Sequence, residues 1–374
     1  MYDPSSARGL CPPPELAIII PTYNEADNVA EIVRRLIACL QGIPWEIIFV
    51  DDDSPDGTAE RIQELAHGDA RIRLLRRIGR RGLSSACIEG MLASTAPFLA
   101  VIDADLQHDE TRLPLMLERI KAGNLDLVVA SRYVAGGSLG DWSENRQSMS
   151  RVASRLAQLL THADLTDPMS GFFLVRAGIL ETCVHDLSGI GYKILFDILS
   201  SSPRPLKFEE IPYGFRQRQA GESKLDNAVL WEYGLTLLQK LLGPRIPVRF
   251  IAFSLIGGSG VVVHLAVLWF LNRLLGVSFL VGQTVAALVA MTTNFFLNNS
   301  LTYRDVRLRG RQLIWGWFSF VLACAVGAIA NVGIATYLFE GDSGWILSAL
   351  AGILVGAVWN YAVTAVYTWR GKAG

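Results

Sequence analysis

The stretch Val101-Ile102-Asp103-Ala104-Asp105-Leu106-Gln107-His108 decides how the first half of this 374-residue chain is interpreted. It follows the apolar run Phe98-Leu99-Ala100, which is typical of a buried strand, and places two carboxylates one residue apart. On an extended backbone, side chains at positions i and i+2 share a face. Two carboxylates on one face repel each other unless a cation lies between them, and Mg²⁺ or Mn²⁺ takes one or two carboxylates together with phosphate oxygens. Taken alone, the pattern fits a metal site and a solvated acidic turn equally well.

Strand-like and helix-like segments alternate on either side of this stretch. Short apolar runs end at polar loops, and the first three are each followed by apolar residues at helical spacing. This alternation predicts a Rossmann-like α/β fold, in which a mainly parallel sheet carries helices on both faces. The predicted strands cover residues 16–20, 45–50, 72–75, 98–102 and 125–130.

Polar residues cluster where four of the predicted strands end. In parallel α/β sheets ligands bind beyond the carboxyl ends of the strands, so these clusters predict one shared site. An alternative for residues 51–53 is that they cap the following helix. The first half contains no dinucleotide-binding, P-loop or Gly-x-Ser-x-Gly motif, which disfavours those enzyme classes. The four clusters are residues 21–25, 51–56, 103–107 and 131–132.

Composition separates a polar half from an apolar half. The formal net charge is −1, so no basic surface suggests a nucleic-acid partner. Hydrophobic residues make up 51% of the chain, and nearly all Asp, Glu and Lys lie before about residue 245. We therefore expect a soluble catalytic domain followed by a membrane domain. The five cysteines form no CxxC pair, which fits a reducing compartment.

The second half predicts a multi-pass membrane domain. Four apolar runs approach the roughly 20 residues that a membrane span needs; they cover about residues 248–271, 279–297, 314–339 and 345–367. Residues 226–243 predict an amphipathic helix lying on the bilayer, or alternatively a soluble docking helix. Arg and Lys flank the spans mostly on one side, and the other side carries only Arg273, so both termini and the catalytic domain are expected in the cytoplasm at the cell or inner membrane. The basic residues on that side are Arg245, Arg249, Arg304, Arg307, Arg309, Arg311, Arg370 and Lys372.

Motifs along residues 15–230 resemble those of the family 2 GT-A glycosyltransferases, and more closely those of the dolichol-phosphate (polyprenol-phosphate) mannose synthases. The resemblance is carried jointly by segments that occur in the family's order. They are Pro21-Thr22-Tyr23-Asn24-Glu25, Val50-Asp51-Asp52, Asp103-Ala104-Asp105-Leu106-Gln107-His108, Ser131-Arg132-Tyr133, Ser170-Gly171-Phe172-Phe173 and Gly221-Glu222-Ser223-Lys224-Leu225. The membrane half is similar to GtrA-like domains at Asn294-Phe295-Phe296-Leu297-Asn298. The implied organisation is a leader over residues 1–14, a GT-A domain over 15–225, the interfacial helix over 226–243 and a GtrA-like domain over 244–374.

The resemblance implies a role for each matching residue. The nucleoside of a nucleotide sugar would contact Pro21, Tyr23, Glu25, Val50 and Asp52. Mg²⁺ or Mn²⁺ and the diphosphate would be held by Asp103 and Asp105, with Ala104 lining the pocket and Gln107 near the metal. The acceptor phosphate would meet Arg132, Arg146 and Ser150, and Arg218 and Lys224 would close over the donor. Asp103, Asp105, Arg132 and Arg146 would be the catalytic set.

The implied reaction moves mannose from GDP-mannose to dolichyl or polyprenyl phosphate with inversion. A lipid phosphate monoester is already ionised near neutral pH, so it needs no general base to attack the anomeric carbon. Two alternatives stay open: a UDP-sugar donor such as UDP-glucose, and a lipid-sugar flippase or scaffold with a non-catalytic head. The intramembrane residues His264, Asn294, Asn331 and Asn360 are candidates for function, or alternatively for interhelical hydrogen bonds.

Overall fold

The computed structural model describes residues 12–138, 164–189, 193–216, 231, 234–235, 237–239, 242, 246–341 and 345–369. The chain divides into two compact units, residues 1–241 and residues 242–374. Most of the predicted leader and most of the predicted interfacial helix lie outside the described residues.

One mixed sheet of seven strands organises the first unit, in the order β3-β2-β1-β4-β6-β5-β7. Neighbouring strands are parallel, except that β6 runs antiparallel to both β4 and β5. The predicted mainly parallel α/β fold is therefore confirmed. The strands are β1 Leu16–Thr22, β2 Trp45–Asp51, β3 Ile72–Arg76, β4 Phe98–Val101, β5 Leu127–Ser131, β6 Phe173–Arg176 and β7 Phe208–Pro212.

Helices cover both faces of this sheet. Because successive strand residues point to opposite faces, β1 sends Ile18 and Ile20 into one apolar cluster and Ala17 and Ile19 into the other. Helices α1, α2 and α4 contribute to the first cluster, and α3, α5 and α6 to the second. The helices are α1 Ala26–Cys39, α2 Thr58–Gly68, α3 Leu83–Leu92, α4 Leu113–Ala122, α5 Ala177–Cys183 and α6 Ile194–Ser201.

Helix α3 lies unusually close to the sheet. A Cβ atom at Gly90 would stand 2.6 Å from a methyl group of Ile19 and 2.8 Å from one of Val50. Any larger residue at position 90 would therefore push the helix outward. Because α3 lies so close to the sheet, the loop that precedes it is held next to the carboxyl ends of β1 and β2. This loop ends at Gly82.

Strand β6 was not predicted, although the motif that precedes it was recognised. It has only four residues, and Phe173 pairs with Val101 at the end of β4. Because β6 is antiparallel, it starts at the edge where β4 ends. Its first residues therefore bring Gly171 and Phe172 beside the acidic motif.

Four long apolar helices form the second unit, as predicted. They are α7 Val248–Trp269, α8 Phe279–Leu297, α9 Arg311–Glu340 and α10 Trp345–Val363. Within the described residues, four segments are long and apolar enough to cross a membrane: Val248–Leu274, Phe279–Thr302, Arg311–Leu338 and Leu350–Thr368. Many large apolar side chains are exposed along them, which suits a lipid environment.

Helices α8 and α10 end in the same way. Each continues into a five-residue π-helical turn, Asn298–Thr302 and Thr364–Thr368. In both turns the next residue is aromatic and donates its backbone N–H five residues back, from Tyr303 to Asn298 O (2.9 Å) and from Trp369 to Thr364 O (3.0 Å). The two rings stack face to face with centroids 4.1 Å apart. The ends of α8 and α10 are therefore joined by this aromatic stack.

Candidate active site

The strand register brings the predicted polar clusters to one edge of the sheet. Thr22 of β1 lies opposite Asp51 of β2, which in turn lies opposite Arg76 of β3. On the other side of β1, Ile19 pairs with Val101, directly before the acidic motif. The loops after β1, β2, β3 and β4 therefore leave the sheet side by side.

Asp51 stabilises this edge of the sheet through buried hydrogen bonds, and its side chain does not face a ligand. Its carboxylate is fully buried and accepts hydrogen bonds from the Thr22 hydroxyl (3.1 Å), the Ser54 hydroxyl (2.5 Å) and the Ser54 backbone N–H (2.9 Å). The Ser54 hydroxyl in turn accepts the backbone N–H of Asn24 (3.0 Å). Asp51 therefore holds the loops after β1 and β2 together.

Asp52 is the acidic residue of the second cluster that lies in the predicted nucleoside pocket. Its Oδ2 accepts the backbone N–H of Gly82 (2.7 Å), and its Oδ1 lies 3.3 Å from Nε of Arg77. Burial raises the pKa of Asp52 above its ordinary value, and the Gly82 N–H and Arg77 oppose that rise. Across the pocket, the Arg81 guanidinium stands 4.3 Å from the centre of the Tyr23 ring.

Arg77 is a buried arginine that sequence reasoning missed. Its side chain is only 2% exposed, and it donates to the Ser85 hydroxyl (2.8 Å) and the Gly82 carbonyl (3.3 Å). It thereby connects Asp52 to the loop that opens α3. The available signal was an arginine directly after β3, at the position where the other strands also place polar groups.

The remaining residues predicted to line the donor pocket differ in their burial and in their contacts. Val50 is fully buried and packs in the apolar cluster between the sheet and α3, so only its backbone could face a ligand. Pro21 pairs with Val50 across β1 and β2. Glu25 accepts a hydrogen bond from the Asn28 side chain (2.8 Å), and Ala104 is buried.

The acidic pair follows β4 as predicted. Asp105 is 7% exposed and accepts the backbone N–H of Gln107 (3.2 Å), whereas the side chain of Asp103 is 34% exposed. Leu106, directly after Asp105, has φ +62°, a left-handed conformation that is costly for a leucine. Such strain is found where function requires a particular loop shape.

His108 supports the acidic pair. Its Nδ1 accepts the backbone N–H of Asp103 (3.3 Å), so the ring hydrogen lies on Nε2, 3.8 Å from the Asp103 carboxylate. Burial lowers the pKa of His108 to about 4, so the ring is neutral at physiological pH. The ring stacks on Phe172 with centroids 5.5 Å apart. His108 therefore supports the loop and side chain of Asp103.

Gly171 packs directly against Asp103 and His108. A Cβ atom there would stand 3.0 Å from Asp103 Oδ2 and 3.3 Å from His108 Cε1. The segment before β6 thus approaches the acidic motif so closely that a Cβ atom would require the Asp103 carboxylate to shift by a few tenths of an ångström.

Arg132, at the end of β5, pairs with a carboxylate that sequence reasoning missed. Its Nε and Nη2 each donate to Asp167 at 2.8 Å, and both side chains are buried. The paired carboxylate raises the pKa of Arg132 against the opposing effect of burial. Glu210 of β7 accepts the backbone N–H of Asp167 (3.2 Å), which fixes the pair to the sheet.

The segment after β7 is bound to the acidic motif. The backbone N–H of Arg216 donates to Gln107 O (2.9 Å), and the Gln107 side-chain amide donates to Arg216 O (3.1 Å). The Arg216 guanidinium forms ion pairs of 2.7 Å with Asp109 and Glu110. The predicted site residues Arg146, Ser150, Arg218 and Lys224 lie outside the described residues.

The acidic pair fits a divalent cation that shares its coordination with substrate. Among the described residues, no group of three or more His, Cys, Asp or Glu side chains could hold a metal ion. Two carboxylates completed by phosphate oxygens are a usual set for Mg²⁺. The Gln107 amide nitrogen donates to Arg216, so only its oxygen could serve as a ligand.

The intramembrane candidates contact neighbouring helices. His264 hydrogen-bonds to Gln283 (3.2 Å). Each of the three asparagines packs against a glycine of the facing helix: Asn294 against Gly260, Asn331 against Gly352 and Asn360 against Gly327. For the asparagines these are packing contacts, and the side-chain oxygens of Asn294 and Asn360 hydrogen-bond to no described residue.

Comparison with known proteins assigns the chain to a family. The glycosyl transferase family 2 model matches residues 17–184, and the GtrA/DPMS transmembrane domain model matches residues 252–369. The dolichol-phosphate mannosyltransferase of Pyrococcus furiosus is 34% identical over 358 residues, which is 95% of this chain and 99% of that protein. The chain belongs to the dolichol-phosphate mannosyltransferase family.

Two other similar proteins match about three fifths of the chain. The dolichol-phosphate mannosyltransferase of Saccharomyces cerevisiae is 36% identical over 228 residues, or 59% of this chain and 84% of that one. Glucosyl-3-phosphoglycerate synthase from Mycobacterium tuberculosis, solved with Mn²⁺, UDP-glucose and phosphoglyceric acid, has a TM-score of 0.46 at 18% identity, covering 61% of this chain and 79% of that one. As a member of its family, the chain is a GT-A glycosyltransferase and an integral membrane protein.

Proposed function

We propose that this enzyme transfers mannose from GDP-mannose to a dolichyl or polyprenyl phosphate, with inversion at the anomeric carbon. One observation carries the proposal: a single sheet edge unites Asp52, the Asp103–Asp105 pair and Arg132, in a chain that also has four membrane spans. The end-to-end similarity to a dolichol-phosphate mannosyltransferase supports the same donor and acceptor.

The residues divide the work between donor and acceptor. Asp52 accepts N–H groups of the nucleobase, while Tyr23, Pro21, Glu25 and the Val50 backbone surround the nucleoside. Asp103 and Asp105 hold Mg²⁺ or Mn²⁺, with Ala104 and Gln107 beside them. When bound, the cation neutralises charge on the diphosphate leaving group. Arg218 and Lys224 add positive charge to the same phosphates.

On the acceptor side, Arg132 meets the phosphate together with Arg146 and Ser150. Asp167 holds the Arg132 guanidinium in one plane, which orients it for phosphate recognition. The acceptor phosphate is already ionised, so the chain supplies position and charge and no general base. In this proposal the catalytic domain and both termini face the cytoplasm, and the excess of Arg and Lys on one side of the spans supports that orientation.

The direct test is transfer of radiolabel from GDP-mannose to lipid in membranes that contain the protein. Dolichyl or undecaprenyl phosphate and Mn²⁺ or Mg²⁺ would be added, with UDP-glucose as a competing donor. We expect a lipid-linked label that unlabelled GDP-mannose competes away and UDP-glucose does not. Lipid-linked label from UDP-glucose alone would show that the enzyme uses a UDP-sugar donor. Absence of lipid-linked label with every nucleotide sugar tested would contradict the proposal.

The Asp105→Asn variant separates enzyme from scaffold. It keeps the shape of the side chain and removes the charge that a cation needs. Loss of lipid-linked label in this variant supports catalysis by the head domain. If the cellular function of the protein is fully retained in Asp105→Asn, that result would instead support a flippase or scaffold with a non-catalytic head.

A further inference from the structure

Tyr213, directly after β7, carries a buried hydroxyl that hydrogen-bonds to no described residue. Its side chain is 1% exposed. The ring lies edge-on against His108 (centroids 5.8 Å apart) and Phe172 (5.9 Å). Packing explains the ring, but it does not explain the hydroxyl.

A buried hydroxyl without a partner is unfavourable, because burial removes its water and, among the described residues, no group replaces the lost hydrogen bonds. Phenylalanine would fill the same space against His108 and Phe172 without that cost. No described residue therefore explains the hydroxyl, and a bound ligand would provide it with a partner.

The position of Tyr213 joins the two halves of the site. Its backbone N–H donates to Ser131 O (3.2 Å), directly before Arg132. Its ring touches His108, which supports Asp103. Burial raises the pKa of Tyr213 well above its ordinary value, with Arg132 opposing the rise and Asp167, Asp103 and Asp105 adding to it. The phenol is thus a neutral O–H donor whose backbone is bound to Ser131, next to Arg132, and whose ring packs against the histidine that supports Asp103.

We propose that the Tyr213 hydroxyl donates a hydrogen bond to a phosphoryl oxygen of the bound substrates. This inference rests on the proposed function, because that function puts a lipid phosphate beside Arg132 and a nucleoside diphosphate beside Asp103. Both sources offer the same chemistry, a charged phosphate oxygen that accepts. The phenol keeps its proton throughout, so its role is binding.

The test is Tyr213→Phe in the full-length protein, with two independent readouts. In the absence of ligands, the melting temperature should be equal to or higher than that of the wild type, since an unpaired hydroxyl has been removed. With substrates, the variant should lose roughly tenfold or more in affinity, the usual effect of losing a hydrogen bond to a charged group.

Two measurements distinguish the sources of the phosphate. A weaker Kd for GDP in the presence of Mn²⁺ assigns the hydroxyl to the donor diphosphate. An unchanged Kd for GDP with a raised KM for polyprenyl phosphate assigns it to the acceptor. Tyr337→Phe, at an exposed tyrosine of α9, is the matched control and should change none of these values.

Two outcomes would overturn the inference. One is a Tyr213→Phe enzyme with wild-type Kd for GDP and wild-type KM for both substrates. The other is a clearly lower melting temperature without ligands, which would make the hydroxyl structural. Either result leaves an active wild-type enzyme and the proposed function intact, whereas failure of the proposed function shows as an inactive wild type.

Discussion

Arg132 donates two hydrogen bonds of 2.8 Å to the carboxylate of Asp167, although the two residues are 35 positions apart in the chain. Both side chains are buried, so the pair is shielded from water. Removing one partner from such a pair leaves an uncompensated buried charge, which costs about 3–5 kcal/mol. The pair also fixes the orientation of the guanidinium that we assign to the acceptor phosphate.

Asp167→Asn should therefore weaken both stability and acceptor use. We expect a lower melting temperature and a KM for polyprenyl phosphate raised roughly tenfold, with Kd for GDP close to the wild-type value. Asp126 makes a similar two-contact pair with Arg204 (2.7 and 2.8 Å) at the opposite edge of the sheet, so Asp126→Asn is the control. A raised acceptor KM in both variants would show that lost stability, and not orientation, is responsible.

Arg77→Met should weaken donor binding. Methionine fills much of the same volume, but it removes the contacts to Asp52, Gly82 and Ser85. The free energy of unfolding should fall by about 3 kcal/mol because Asp52 loses its buried partner. Titration with GDP should show a higher Kd, while KM for the acceptor changes little.

Arg80→Met is the control for Arg77→Met. Arg80 lies in the same loop but is exposed, and its ion pair with Glu89 is worth little at the surface. GDP binding as strong in Arg77→Met as in Arg80→Met would contradict the role given to Arg77.

The sequence was sufficient where local pattern decides structure. Alternating apolar strands and amphipathic helices predicted the sheet and the edge where the polar loops meet. Four long apolar runs predicted the four apolar helices. It was insufficient where a contact joins distant segments. Asp167 and Arg132 belong to different loops, and nothing in either segment alone identifies the partner.

The same limit explains Arg77 and β6. An arginine after a strand is usually solvated, and only the folded loop before α3 shows that Arg77 is buried against Asp52. Strand β6 has four residues and pairs with β4 and β5, far from it in sequence. Its antiparallel direction depends on that pairing, so no local periodicity could have predicted it.

Gly171→Ala should disturb the acidic pair without unfolding the domain. The new methyl group would stand 3.0 Å from Asp103 Oδ2, so the carboxylate must shift by a few tenths of an ångström. Catalytic geometry is sensitive to such shifts, since a misplacement of about 1 Å costs roughly 100-fold. We expect kcat to fall about tenfold and the Mn²⁺ concentration for half-maximal rate to rise.

Gly178→Ala provides the comparison for Gly171→Ala. A Cβ atom at Gly178 meets nothing within 4 Å, and alanine favours the α5 helix in which it lies. This variant should keep the wild-type kcat and Mn²⁺ requirement. Equal kinetics in the two variants would show that the close approach at Gly171 has no bearing on Asp103.

The Asp126–Arg204 pair should make the stability of the catalytic domain sensitive to acid. The hydrogen bonds from Arg204 lower the pKa of Asp126 below its ordinary value. A carboxyl group whose pKa is lowered by folding stabilises the fold above its unfolded pKa, and this contribution disappears as the pH falls through the folded pKa. The melting temperatures of wild type and Asp126→Asn should therefore differ at pH 7 and converge below about pH 4. A difference that stays constant over this range would show that ionisation of Asp126 is not its source.

Gly260→Val should destabilise the membrane unit, because a Cβ atom there would stand 2.9 Å from Cγ of Asn294 on the facing helix. Asn294 is already tightly placed, and its Oδ1 is buried without a hydrogen-bond partner among the described residues. Overpacking of this kind costs about 1–3 kcal/mol.

Gly258→Val is the matched control, since that glycine is two residues away and a Cβ there meets nothing within 4 Å. Thermal unfolding of the detergent-solubilised protein should show a clear loss for Gly260→Val and almost none for Gly258→Val. Equal losses would mean that valine acts through the helix backbone, and not through the contact between α7 and α8.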